Sequence, residues 1–239
     1  MKKPPVGRSG SSVVVVTDGE TTRVTHVESE YRFAFGLKNS ARVMANSARK
    51  IAEDESHALS AFVTGAVILS YSFLEAALNE FIHLNATAEK SPLTSEQRAL
   101  VAAMAREELR PQRRQNTLQL FNTLLRLIGK QELDERQEPF QSANLVRSLR
   151  NLLVHPVPGR VVTYVEDPDS NLSEQQQIVR QLRGALGLHR DATFPWDVLN
   201  SRCADWAVQS CERFFRDFAE TSGVDPGFIT EPLYLGGKA

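Results

Sequence analysis

The chain has 239 residues, of which 41% are hydrophobic and 24% charged, and its formal net charge at pH 7 is -1. This length fits one large domain, or one domain with appendages, and the apolar content is sufficient for a core. The balanced charge excludes a global positive field that would attract nucleic acid. The same balance argues against a DNA-binding regulator. The sequence also has no helix-turn-helix pattern with a basic recognition helix.

Residues 1–30 are predicted to be an N-terminal arm that ends in a β-hairpin. A β-branched run at residues 13–16 is followed by Asp18-Gly19 and then by alternating apolar and polar residues at 23–27. This pattern predicts two strands joined by a loop of about four or five residues. The residues before the hairpin are expected to be disordered, and they lack the apolar stretch of a secretory signal.

Residues 31–222 are predicted to form a helical domain. Apolar residues at helical spacing, bounded by capping residues, prolines or glycines, indicate helices at 40–53, 56–85, 96–109, 116–128, 138–155, 173–186 and 195–221. Residues 160–165 are a candidate for a third short strand, and residues 223–239 are expected to be a loose tail. The predicted fold is therefore mainly α, a helical bundle with a small N-terminal β-hairpin.

An uncharged run at residues 58–74 in the second predicted helix could be mistaken for a membrane span. It contains several small polar residues and is shorter than a comfortable span. We predict that it is a buried core helix and that the protein has no membrane segment.

Cys203 and Cys211 are the only cysteines, and both lie in the last predicted helix. They are too far apart along its axis to form a disulfide, so we predict small buried side chains in a reducing, cytoplasmic compartment. No cysteine pair or cysteine–histidine set suggests a zinc site, and no metal or other cofactor is expected.

Arginines form two groups in the sequence. The groups are Arg106, Arg110, Arg113 and Arg114, and Arg147, Arg150 and Arg160. Each group is either a solvated helix face or a local phosphate-binding surface, because a guanidinium grips phosphate with a planar fork.

The end of the fifth predicted helix combines a guanidinium with an imidazole. Arg150 and His155 lie five positions apart, and Pro156 follows as the stop. A fixed cation and a group that titrates near neutral pH are what phosphodiester cleavage without a metal requires. An ideal helix separates the two by about 140°, but Pro156 disfavours helical geometry at His155. The helix dipole favours a protonated imidazole there, whereas burial would oppose it.

The same helix has two faces of opposite character. The apolar stripe, expected to face the core, is Leu145, Val146, Leu149, Leu152 and Leu153. The polar stripe opposite is Asn144, Ser148, Asn151 and His155, with Arg147 and Arg150 between the two. Glu and Lys normally dominate a plain solvent face, so short polar side chains favour a surface that a ligand or a second chain approaches.

The string LRNLLVHP at residues 149–156 resembles the R-x4-6-H motif of HEPN domains, a helical superfamily that includes many metal-independent endoribonucleases. Asn151 adds to the match, since a polar residue after the arginine is common in the family. The resemblance implies Arg150 and His155 as catalytic residues in a homodimer whose motifs face each other. Two copies of His155 would divide the roles of base and acid, while two copies of Arg150 stabilise the transition state.

The long second helix carries Tyr71, Glu75 and Asn79 at successive i+4 positions, so the three share one face. A carboxylate on an otherwise apolar helix needs a partner, and Arg150 is the natural candidate. The run also resembles a Y-x-x-x-E-x-x-x-N pattern of many HEPN members. That resemblance implies that Glu75 orients Arg150 or the motif histidine; the alternative is that Glu75 faces solvent.

The first hypothesis for function is an endoribonuclease, toxin-like or part of antiviral defence, which cuts RNA by attack of the ribose 2′-hydroxyl. Its expected partners are RNA, a second copy of the chain and an antitoxin or other regulatory protein. The second hypothesis is a non-catalytic helical module that dimerises or binds a partner protein or a nucleotide. In that case the polar stripe is an interface and Arg150 holds a phosphate or a carboxylate. A purely structural alternative for the motif is that His155 caps helix carbonyls and Arg150 forms a surface ion pair.

Overall fold

A computed structural model describes residues 11–18, 21–29, 33–51, 55–87, 91, 93–105, 115–155, 174–189, 192 and 194–223. The first arginine group from Arg106 to Arg114, the candidate strand at 160–165 and the tail beyond Gly223 lie outside these residues. The domain boundaries at residues 30 and 223 therefore stay predictions.

Seven α-helices make up most of the described chain, which confirms a mainly α-helical fold. They are α1 (Phe33–Ala48), α2 (Ser56–Thr87), α3 (Ser95–Ala105), α4 (Thr117–Leu127), α5 (Phe140–Val154), α6 (Glu174–Leu186) and α7 (Ser201–Ser222).

Two helix starts differ from the sequence prediction, and each difference has a local cause. Helix α1 begins at Phe33 rather than near residue 40, because the Glu80 carboxylate of α2 accepts a hydrogen bond from the Ala34 N–H at 2.8 Å. Helix α7 begins at Ser201 rather than at residue 195, because Asn200 is the N-cap and accepts from the Cys203 N–H at 3.0 Å. The first cap comes from a distant helix, so a local reading of the sequence misses it.

Helix α2 lies at the centre of the bundle and packs against α1, α3, α4, α5 and α7. Seven phenylalanines from four helices meet there, mostly edge to face: Phe73, Phe81, Phe121, Phe140, Phe214, Phe215 and Phe218. Each such pair adds about 0.5–1.5 kcal/mol beyond the burial of its area. This cluster fixes α2, α4, α5 and α7 relative to one another.

The segment Ser56–Ala86 of α2 is long and apolar enough to cross a membrane by length and composition, and half of its most apolar window is buried inside the bundle. The buried Ser70 hydroxyl donates to the Ala66 carbonyl at 2.7 Å, which satisfies its polar group within the helix. The absence of a membrane segment stays a prediction.

The segment before α1 contains two extended stretches, β1 (Ser11–Asp18) and β2 (Thr21–Ser29), which pair antiparallel with Val13 opposite Val27. Within the described ranges these strands contact none of the helices. The packing of the bundle therefore gives the hairpin no support, and a β-hairpin as a unit of the folded domain stays a prediction.

Both cysteines are buried in α7, as predicted. Burial raises the pKa of the Cys203 thiol to about 12 and raises the pKa of Cys211 as well. Thiols in this environment are packing groups rather than nucleophiles.

Candidate functional site

Helix α5 carries the candidate motif and is amphipathic, as predicted. Leu145, Val146 and Leu149 are buried in the core, while Leu152 and Leu153 are only half-buried. The apolar stripe thus leaves the core over the last turn of the helix. As a result, the C-terminal end of α5 stands at the surface of the bundle, where Asn151 and His155 of the polar stripe are exposed while Asn144 and Ser148 are half-buried.

His155 is the C-cap of α5, and its side chain is exposed. Its N–H donates to the Asn151 carbonyl at 2.8 Å, but its backbone angles, φ -123° and ψ 64°, are no longer helical. This confirms the predicted departure from the helix before Pro156. Among the residues described, the imidazole has no hydrogen bond or ion pair, so no helix carbonyl holds it there.

Arg150 is partly buried against α2, with 24% of its side chain exposed. Its Nη2 lies 3.9 Å from Glu75 Oε2, and its Nη1 donates to Asn151 Oδ1 at 3.1 Å. The buried Nε has no hydrogen-bond partner. Glu75 therefore lies beside Arg150, as the sequence predicts, but at a distance that allows Coulomb attraction without a hydrogen bond.

Tyr71 lies one turn before Glu75 and is 2% exposed. Its hydroxyl lies near the side chain of Thr117, the first residue of α4, and in the field of Arg147. Burial raises the pKa of Tyr71 to about 12, although Thr117 and Arg147 oppose the shift. The phenol is protonated near neutral pH and lies buried in the bundle, one helical turn from Glu75.

Arg147 is half-buried, and its Nε donates to Asn144 Oδ1 at 3.0 Å. This bond fixes the plane of the guanidinium from within the same helix. The remaining supporting residues lie further out: Ser148 is half-buried and Asn79 is exposed. The predicted face of α2 therefore runs from the buried Tyr71 to the solvent at Asn79.

The described residues bring Arg150, Glu75 and Asn151 together but join none of them to the His155 side chain. No hydrogen bond or ion pair in this part of the chain connects the imidazole to Arg150 or Glu75. Asn144 and Thr117 lie beside site residues but are not predicted as part of the site from the sequence. Asn144 had a signal, since it lies in the polar stripe, whereas nothing local to Thr117 indicates its contact with Tyr71.

No group of three or more His, Cys, Asp or Glu side chains that could hold a metal occurs in the described ranges. No model of a known family, no curated protein and no solved structure matches the chain. The function of the chain is therefore inferred from the motif at Arg150 and His155 and from the geometry around it.

Proposed function

We propose that this protein is a HEPN-type, metal-independent endoribonuclease that acts as a homodimer. The observation that carries the proposal is the guanidinium of Arg150, which is partly exposed and lies 3.9 Å from Glu75 of a neighbouring helix, without a bidentate carboxylate. The exposed His155 lies at the end of the helix that carries Arg150. A partly fixed guanidinium and an exposed imidazole are the groups that phosphoryl transfer at an RNA backbone requires, provided that two copies bring them together.

The proposed reaction uses the substrate's own 2′-hydroxyl as the nucleophile. His155 of one protomer takes the proton of this hydroxyl, and the O2′ atom forms a bond to phosphorus. The bond from phosphorus to O5′ breaks, and the partner's His155 donates a proton to the departing O5′. The products are a 2′,3′-cyclic phosphate and a 5′-hydroxyl, and Arg150 stabilises the additional negative charge on the phosphoryl oxygens before O5′ leaves.

A dimer is required in this proposal because one copy does not join its histidine to its arginine. One imidazole also cannot act as base and acid at the same instant. The polar stripe of α5 is the surface that we assign to the second copy, since its short side chains permit close approach. This assignment is consistent with the His155 side chain, which is exposed at the end of α5 and has no hydrogen bond or ion pair among the described residues.

Cleavage in EDTA tests the activity directly. The purified protein is incubated with a mixed-sequence single-stranded RNA between pH 5 and 9, and product ends are identified as cyclic phosphate or linear phosphate. We expect cyclic phosphate ends, no product from RNA with 2′-deoxy residues, and loss of activity in His155→Ala. His57→Ala, at an exposed position at the start of α2, is the matched control. Absence of cleavage by the unaltered protein across this range would remove the proposal.

Mixing protomers tests the two-copy site. Wild-type chain is unfolded and refolded together with His155→Ala chain in equal amounts, and activity is compared with that of wild type alone. If both copies must supply the imidazole, only about a quarter of the dimers are active, whereas independent copies leave about half the activity. A linear dependence on the wild-type fraction contradicts the shared site.

The second candidate is a non-catalytic helical module that binds a partner protein, a nucleotide or another copy of itself. The observation in its favour is the same lack of a contact between His155 and Arg150. Binding of RNA or protein without turnover, unaffected by His155→Ala, favours this candidate. Under the enzyme proposal we place the protein in the cytoplasm, in a toxin-like or antiviral role with a regulatory protein such as an antitoxin.

A further inference from the structure

Arg147 is a second guanidinium on α5, and it differs from the paired arginines around it. Arg42, Arg49, Arg126, Arg150 and Arg216 all have a carboxylate within 4 Å. Within the described part of the chain, Arg147 has none, although it is half-buried and its Nε is held by Asn144. Its two Nη groups remain as a fork of fixed orientation.

The Tyr71 hydroxyl lies in the electrostatic field of Arg147, but it does not supply a negative charge. Burial raises the pKa of Tyr71 to about 12, so the phenol is uncharged at neutral pH. A guanidinium that is partly withdrawn from water is costly without an anion. The missing negative charge is therefore expected to come from outside the described residues.

Arg147 and Arg150 are three residues apart on one helix. Their Cβ atoms are thus about 5–6 Å apart, and the two side chains leave the axis at directions that differ by about 60°. A single extended strand can therefore present successive phosphates to both. An arginine fork is suited to this role because it binds phosphate with two parallel hydrogen bonds.

We propose that Arg147 binds the phosphate next to the one held by Arg150, so that the ligand is a single-stranded RNA with at least two consecutive phosphates. The identification of the Arg150 phosphate as the one that is cleaved rests on the proposed function. Arg147 is a binding residue here and takes no part in the chemical step.

Salt-dependent binding tests the proposal without any cleavage. A fluorescent oligonucleotide with 2′-O-methyl groups, which has no free 2′-hydroxyl, is titrated with the full chain at several salt concentrations. For single strands, the slope of log K against log salt concentration changes by about 0.7 for each phosphate contact. We expect Arg147→Ala to reduce the slope by about 0.7 and Arg147→Lys to keep most of it. Arg126→Ala, at an exposed arginine paired with Glu132, is the control that leaves the slope unchanged.

The unaltered protein provides a second measurement that does not depend on the folding of a variant. A 2′-O-methyl dinucleotide has one internal phosphate and the corresponding trinucleotide has two, and we expect the trinucleotide to bind with the steeper dependence on salt, since it engages two guanidiniums. Equal slopes for the two ligands, or a slope that Arg147→Ala leaves intact, overturn the proposal. Failure of the unaltered protein to bind either ligand also overturns it.

The failure of this inference is distinguishable from the failure of the proposed function. A protein that binds with the expected slopes but never cleaves RNA retains the two-phosphate site and loses the enzymatic assignment. A protein that cleaves RNA with an unchanged slope in Arg147→Ala retains the enzymatic assignment and loses this site.

Discussion

Arg42 with Glu212 and Arg150 with Glu75 are arginine–glutamate pairs that join helices in the described part of the bundle, and they differ in geometry. Arg42 of α1 binds Glu212 of α7 through two nitrogens, with Nη2 2.6 Å from Oε2. Arg150 of α5 makes a single contact with Glu75 of α2, at 3.9 Å. The more exposed arginine has its carboxylate fully engaged, while the less exposed one keeps a buried Nε without a partner.

This difference indicates different roles for the two pairs. Helix α1 packs along α2 through fully buried alanines and the half-buried Leu37 and Met44, and the bidentate pair with Glu212 adds a polar contact to α7. Arg150 lies on a helix that the core already fixes through Leu149 and Val146. Its guanidinium is therefore available to an external anion, which a bidentate partner would exclude.

The largest expected effect is the loss of cleavage in Arg150→Ala. Removal of a group that stabilises developing charge typically lowers the rate by about 100–1,000-fold, and we expect a loss of this size in kcat. Arg42→Ala should leave cleavage within experimental error, because Nε and Nη2 of Arg42 are engaged by Glu212. Equal losses in the two variants would contradict the division between the pairs.

The buried phenol of Tyr71 predicts that the stability of the protein falls in alkali. The pKa of Tyr71 is about 12 in the folded protein and about 10 in an unfolded chain. The protonated phenol therefore stabilises the fold fully below pH 10, and this contribution is lost as the pH rises from 10 to 12.

Tyr71→Phe removes this titration. We expect the wild type to lose about 3 kcal/mol more than the variant across that interval, measured as the free energy of unfolding in urea at each pH. Cys203 and Cys211 titrate in both proteins, so their effects cancel in the comparison. Parallel curves for wild type and variant would show that the phenol is not buried in this way.

The sequence predicts the bundle well wherever the signal is local. The Tyr71–Glu75–Asn79 face and the apolar stripe of α5 follow from helical periodicity alone, and Pro156 indicates the change of backbone at His155. Proximity of Glu75 to Arg150 was inferred from the cost of an unpaired carboxylate, and the structure bears out that proximity.

Other features could not be read from the sequence because they depend on contacts between distant segments. The start of α1 is fixed by Glu80, 46 positions away. The partner of Tyr71 is Thr117, which no pattern connects to it. Distances decide the rest: a sequence can suggest that Arg150 has a carboxylate nearby, but it does not distinguish a bidentate pair from one at 3.9 Å.

Glu75→Gln should reduce cleavage less than the loss of Arg150 itself. The amide keeps the shape of the carboxylate but removes the charge that draws the guanidinium toward α2, so Arg150 is less well positioned. We expect a loss of about tenfold in kcat, with little change in KM or in melting temperature. Glu212→Gln is the matched control on α7, and an unchanged kcat in Glu75→Gln would remove Glu75 from the site.

The smallest effect is expected for the stability of Arg42→Ala. Both partners of this pair are partly exposed, at 50% and 26% of their side chains, so water screens the attraction. A pair of this kind contributes about 0.2–1 kcal/mol to the free energy of unfolding, and the difference should shrink in high salt. Chemical denaturation at low and high salt measures both quantities. A loss well above this range would mean that α1 depends on the pair more than its packing against the core suggests. Faster hydrogen exchange confined to α1 would then locate the effect in this helix.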